Sequence, residues 1–132
     1  MVQTGDVVRR LIAAARSVQG SFELSPGDGF SAGGVGAAIL TADGNVYTGI
    51  CIDVACGIGF CAEHSAIAEM LKHRETRIAA VVAVGDSEIL PPCGRCREFM
   101  MQIDRSNIEA DVILSEKQTV KLRDLLPFYW NE

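Results

Sequence analysis

Long apolar runs are missing from this 132-residue chain. Its longest, such as Ile78–Val84, fall far short of the roughly 20 residues that a bilayer-spanning helix needs, so no membrane partner is expected. Basic charge is also scarce: Lys and Arg number 12 against 17 Asp and Glu, for a net charge of −5. With no basic stripe to meet a polyanion, nucleic acid is excluded as an expected partner. Internal repeats and linker-like segments are absent, so residues 1–132 read as one domain, long enough to bury roughly two thirds of its unfolded surface. No signal-peptide pattern opens the chain, and its five cysteines are an odd number. Both point to a reducing, cytoplasmic compartment and away from a disulfide scaffold. Aromatics are few, yet three of the eight stand together at Phe128-Tyr129-Trp130. An apolar content of 48% is high for so short a chain and points to burial between subunits as well as within one.

What is present is a cysteine pattern: Cys61-Ala62-Glu63, then Pro92-Cys93-Gly94-Arg95-Cys96. Three thiolates with a carboxylate two residues after the first suit a catalytic metal site. A structural zinc takes four protein ligands, whereas a catalytic zinc keeps its fourth position open. The zinc-dependent nucleobase deaminases carry this order: His or Cys, any residue, Glu, then Pro-Cys-x-x-Cys.

Hydrophobic periodicity sets out the skeleton. It predicts a helix over 7–18, a Gly-, Ser- and Pro-rich loop over 20–34, and a hairpin of strands 34–40 and 46–52 turning at Ala42-Asp43-Gly44-Asn45. A helix over 61–73, a doubly covered strand over 78–84, a helix over 93–103, a strand over 111–114 and a helical turn over 122–126 follow. A hairpin followed by strand, helix and strand gives a mixed sheet with helices on its faces. Cys93 and Cys96 share one helix face, and two helix N-termini at one sheet edge would bring Cys61 to them and offset the thiolates' charge. Arg95 and Arg97 add to that compensation. Glu63 then takes a proton from the attacking water and returns it to the ring and the departing amine.

The chain resembles the small cytidine deaminases and their blasticidin S deaminase relatives. The likeness runs through Val35-Gly36-Ala37-Ala38-Ile39-Leu40, Cys61-Ala62-Glu63, Pro92-Cys93-Gly94-Arg95-Cys96-Arg97-Glu98 and Leu125-Leu126-Pro127. It implies an α/β fold, a three-layer α/β/α sandwich with a mixed sheet, one Zn²⁺ per subunit and a homo-oligomer, tetramer or dimer. The implied reaction is hydrolytic removal of an amine from a small aminated heterocycle, cytidine or deoxycytidine by default. By resemblance Cys61, Cys93 and Cys96 are the metal ligands and Glu63 the proton shuttle. The Ala62 N–H would meet the ring carbonyl and the Pro91 carbonyl the leaving amine. Trp130, three residues after Pro127, would stack on the substrate ring from a neighbouring subunit.

Departures from the family pattern bear on the substrate. Cys51-Ile52-Asp53 stands where relatives acting on cytidine carry Asn-x-Glu for the ribose hydroxyls, and the loop to Cys61 is one residue shorter. Gly33 replaces a Phe near the base, which implies a wider pocket. His64 replaces an Arg beside the ligands; it and Arg97 are expected around the metal shell. A modified base, a free base or an aminopyrimidine nucleoside antibiotic is therefore the alternative substrate. A non-catalytic zinc domain, closed by Cys56 as a fourth thiolate, is the alternative to an enzyme.

Overall fold

The computed structural model describes residues 3–131; residues 1, 2 and 132, the ends of the expected 1–132 domain, lie outside the described residues. Helix α1 (Gly5–Val18) starts at Thr4, whose Oγ1 accepts the Val7 N–H at 3.3 Å. Its buried residues Val8, Leu11, Ile12 and Ala15 recur at helical spacing and form one stripe. Then come β1 (Phe22–Glu23), β2 (Ser31–Thr41), β3 (Val46–Asp53), α2 (Ala62–Lys72), β4 (Ile78–Val84), β5 (Ile89–Leu90) and α3 (Gly94–Ile103). A 3-10 turn, Arg105–Glu109, leads to β6 (Asp111–Ile113), β7 (Thr119–Lys121) and α4 (Leu122–Leu125).

The body of the sheet runs β3-β2-β4-β6-β7. Strand β2 pairs antiparallel with β3 and β4, β4 pairs parallel with β6, and β6 antiparallel with β7. The two-residue β1 and β5 extend the ladders of β2 and β4. Alternation along the strands sorts the core into two layers. Ala38, Ala80, Val82, Val84 and Ile113 pack with α1, whereas Ile39, Val81 and Val112 pack with Ile67 and Met70 of α2 and Met100 of α3. The sheet is mixed and lies between helices, as expected, and β4 lacks polar alternation because both of its faces are covered.

Asn107, fully buried, ties the turn after α3 to the sheet. Its Oδ1 accepts the Ile78 N–H at 2.8 Å, and its Nδ2 donates to the Thr76 and Met100 carbonyls at 3.0 Å each.

The expected loop over 20–34 is partly wrong. Strand β2 begins at Ser31, because a bulge carries the chain through its glycines: Ala32 pairs with Ile52, but Gly36 with Ile50. Gly33 has φ +84, and a Cβ there would lie 2.3 Å from the Gly20 carbonyl oxygen. A glycine cluster that reads as loop is here the means of bulging a strand. Strands β1, β5 and β7 were not expected either; at two or three residues each, they are too short to show a period.

Small residues set the height of α2 above the sheet. Ala37, Cys51, Ala62 and Ala83 form a compact cluster under its first turn. At Gly49 of β3 a Cβ would lie 2.3 Å from the Ala66 nitrogen and 2.7 Å from the Ala62 oxygen. The helix backbone therefore rests almost on the strand.

Candidate metal centre and active-site cavity

Cys61 and Cys93 occupy the N-cap positions of α2 and α3, and neither side chain caps its helix. Ser, Thr, Asp or Asn there would stabilise the helix start. The sulfurs are free instead to face each other, 3.5 Å apart, and Cys96 in the first turn of α3 lies 3.5 Å from Cys93. All three sulfurs fall within 4.8 Å of one another. Tetrahedral zinc with 2.3 Å Zn–S bonds sets its sulfurs about 3.8 Å apart, so the cluster fits that ion. Cys56 is exposed and does not join the cluster, so among the described residues the cluster would offer a metal three sulfurs rather than four.

Burial pushes the Cys61 and Cys96 thiols up, and neighbouring negative charge adds to this at Cys96. For Cys93 burial also opposes ionisation, but the Cys96 N–H, the Cys61 and Cys96 thiols and the Arg95 N–H outweigh it and hold the thiol below its ordinary range. Cys61 and Cys96, costly to ionise alone, would be ionised outright by a dication at the centre of the cluster.

Glu63 is only 4% exposed, which rules out a solvated helix-surface charge. Burial raises its carboxyl above the usual range, against the opposing pull of its own backbone N–H and the Cys96 thiol. A carboxyl that holds its proton more readily suits a group that takes and returns one.

Cys61, Cys93 and Glu63 line a cavity of about 730 Å³, together with Ala62, Pro91, Cys51 and Asp53. Cys51 is buried; its Sγ accepts the Val35 N–H at 3.2 Å and donates to Asp53 Oδ2 at 3.5 Å. Gly33 is not among the lining residues, so the expectation that it widens the pocket is corrected: the bulge presents Gly34 and Val35 to the cavity instead.

The remaining expected residues lie further out. The Arg97 guanidinium does not reach a sulfur; it donates to the Pro92 carbonyl at 2.8 Å and the Leu125 carbonyl at 3.0 Å, bracing the chain before Cys93. Arg95 lines the cavity. His64 approaches Cys96, its Nδ1 3.4 Å from Sγ. Burial, then the Arg95 charge, lowers the imidazole's proton affinity. Trp130 does not line the cavity of its own chain; it is 62% exposed, and its backbone N–H donates to Glu98 Oε1 at 3.1 Å. Sequence reasoning missed Phe60 as a wall of the cavity. Its signal was weak: one aromatic before Cys61, in a segment whose pairing with Ile52 only the fold discloses.

Residues 21–111 match the family described as "Cytidine and deoxycytidylate deaminase zinc-binding region". The chain belongs to this family. The cytidine deaminase of Mycobacterium tuberculosis is 35% identical over 95 residues, covering 70% of this chain and 69% of that one. That of Halalkalibacterium halodurans is 31% identical over 102 residues, with 70% and 74% covered. The crystal structure of the Mycobacterium tuberculosis cytidine deaminase matches with a TM-score of 0.75 at 28% identity, over 99% of this chain and 100% of that one. The Mycobacterium leprae structure matches with a TM-score of 0.70 at 28% identity, over 96% and 100%. With the family's zinc-binding region and the three-sulfur cluster in one place, this deaminase-family chain carries one Zn²⁺ per subunit. Among the described residues, no helix is long and apolar enough to cross a membrane.

Proposed function

We propose that this protein is a zinc-dependent hydrolase that releases ammonia from an aminated pyrimidine nucleoside, with cytidine or deoxycytidine as the default substrate. One observation carries the reading: a buried carboxyl, Glu63, lines a cavity large enough for a nucleoside together with Cys61 and Cys93, two of the three clustered thiols. Cys61, Cys93 and Cys96 hold the metal, which when bound supplies Lewis-acid activation of the attacking water. Water adds to the ring carbon bearing the amine. Glu63 accepts a proton from that water and passes it to the adjacent ring nitrogen. It then transfers the second proton to the amine, which leaves as ammonia while the ring carbonyl forms. The Ala62 N–H orients the ring through its carbonyl oxygen, and the Pro91 carbonyl accepts a hydrogen bond from the leaving amine.

The sugar end supports a second reading, a modified or free base or a nucleoside antibiotic. Cys51 spends its donor on Asp53 and its sulfur on Val35 N–H, so Asp53 alone remains to meet ribose hydroxyls. A site short of hydroxyl partners discriminates weakly for the nucleoside.

We place the protein in the cytoplasm as a homo-oligomer, tetramer or dimer, in which Trp130 covers the cavity of a neighbouring subunit. Exposure of Phe128 (93%) and Trp130 (62%) supports this, since neither ring pads its own subunit's core. Ammonia release measured over a panel of cytidine, deoxycytidine, cytosine and base-modified nucleosides tests the proposal. The expected result is zinc-dependent release from at least one; silence across the panel with zinc bound overturns it. Trp130→Ala is expected to raise KM without moving Tm.

A further inference from the structure

We infer that His64 is a positioning residue for Cys96: its Nδ1–H donates to the Cys96 sulfur, and a stack with Phe60 and Phe99 holds the ring to that task. The inference rests on the zinc site proposed above. The imidazole nitrogen lies 3.4 Å from Cys96 Sγ, within reach of an N–H···S hydrogen bond. A metal-bound thiolate has no proton, so the bond forms only with Nδ1 as the donor. Its ring plane lies 15° from that of Phe99 with centroids 4.4 Å apart, and 21° from that of Phe60 with centroids 6.5 Å apart. These neighbours restrict ring rotation.

Cys96 needs such a donor. Its residue is fully buried, so water does not solvate the sulfur. Three thiolates on a dication leave one excess negative charge at the site. At Cys93 the backbone N–H groups of Cys96 and Arg95 at the start of α3 favour the ionised sulfur. For Cys96, three residues on in the first turn, the imidazole is the partner that draws charge from the sulfur. A sulfur that gives less charge to the metal leaves it a stronger Lewis acid. Phe60 extends the arrangement outward, since it lines the substrate cavity and exchanges two backbone hydrogen bonds with Ile52, 3.0 and 3.1 Å long.

Two substitutions separate the donor from the stack. His64→Phe keeps an aromatic ring and deletes the donor; His64→Asn keeps a donor near the Nδ1 position and deletes the aromatic ring. Zinc affinity by chelator competition on the purified holoenzyme, the sulfur-to-cobalt charge-transfer band after cobalt exchange, kcat, KM and Tm are read for each. His64→Phe is expected to weaken zinc binding about tenfold to a hundredfold, the range for lost outer-shell partners. It should also move the charge-transfer band to lower energy and reduce kcat while KM holds. His64→Asn should recover most of the affinity and the band position. Wild-type zinc affinity and an unmoved band in folded His64→Phe overturn the inference, as does His64→Asn behaving no better than His64→Phe. Should His64→Phe not fold, Phe99→Leu supplies the second comparison: the donor stays, the clamp loosens, and an unchanged band and affinity refute the clamp. Wild-type protein without zinc would instead bring down the metal reading itself.

Discussion

The sulfurs of Cys61 and Cys93 lie 3.5 Å apart although each cysteine starts a different helix and 32 positions separate them in the chain. Each gives up a helix-capping interaction, and a metal shared with Cys96 would compensate by tying α2 to α3. Cys93→Ala and Cys96→Ala are therefore expected to lose zinc and to lower Tm by more than about 5 °C. Chelator treatment of the native protein should give a similar loss. Metal analysis alongside a thermal melt checks both; zinc retained at full stoichiometry in either variant would contradict the ligand assignment.

The proton-shuttle role proposed for Glu63 would come at a cost to stability, because its carboxyl is buried and its ionised form is disfavoured. Glu63→Gln should keep zinc and leave Tm equal or slightly higher, while kcat falls by about a hundredfold or more. Ammonia-release kinetics on metal-loaded variant protein decide this. Near-native turnover would remove Glu63 from the mechanism.

Close approach at Gly49 positions the helix that carries both Cys61 and Glu63. Gly49→Ala would drive a methyl into the backbone of Ala66 and Ala62. The expected cost is about 1–3 kcal/mol, as for other overpacking changes, together with a fall in kcat larger than at a comparably destabilised position far from α2. Denaturant melts and kinetics on the same preparation test the pairing; lost stability with unaltered kcat would show that α2 does not shift.

Far from the cavity, Glu75 and Tyr47 set a pH window. Hydrogen bonds from Thr41 and then Tyr47 hold the Glu75 carboxyl below its usual 4.5, against a smaller opposing effect of burial. The hydrogen bond to Glu75, then burial, pushes the Tyr47 hydroxyl up to about 12. A depressed carboxylate stabilises above its unfolded pKa and loses that contribution as pH falls through its folded value. A raised phenol stabilises below about 10 and loses its contribution as pH rises toward its folded value. Both contributions are thus complete between about 4.5 and 10. Glu75→Gln is expected to flatten the acid limb of Tm against pH. An acid limb identical to wild type would show that the pair contributes nothing.

The sequence alone determined the chemistry's inventory. The order Cys-x-Glu then Pro-Cys-x-x-Cys names three thiolates and an acid, and helix period places Cys93 and Cys96 on one face whatever the rest of the chain does. Strand β4 was legible for a similar reason, because seven consecutive apolar residues suit a strand covered on both sides. Only the tertiary structure decided how that inventory is used. Gly33 reads as an opened pocket until the β2 register shows it making a bulge against Gly20. Cys51 reads as a weak sugar contact until the same sheet sets its sulfur between Val35 and Asp53. The Phe60–His64–Phe99 stack joins a loop and two helices. Periodicity reports which face a residue takes on its own element. Which side chains meet across elements depends on strand register and helix height, and those follow from the packing of the whole core.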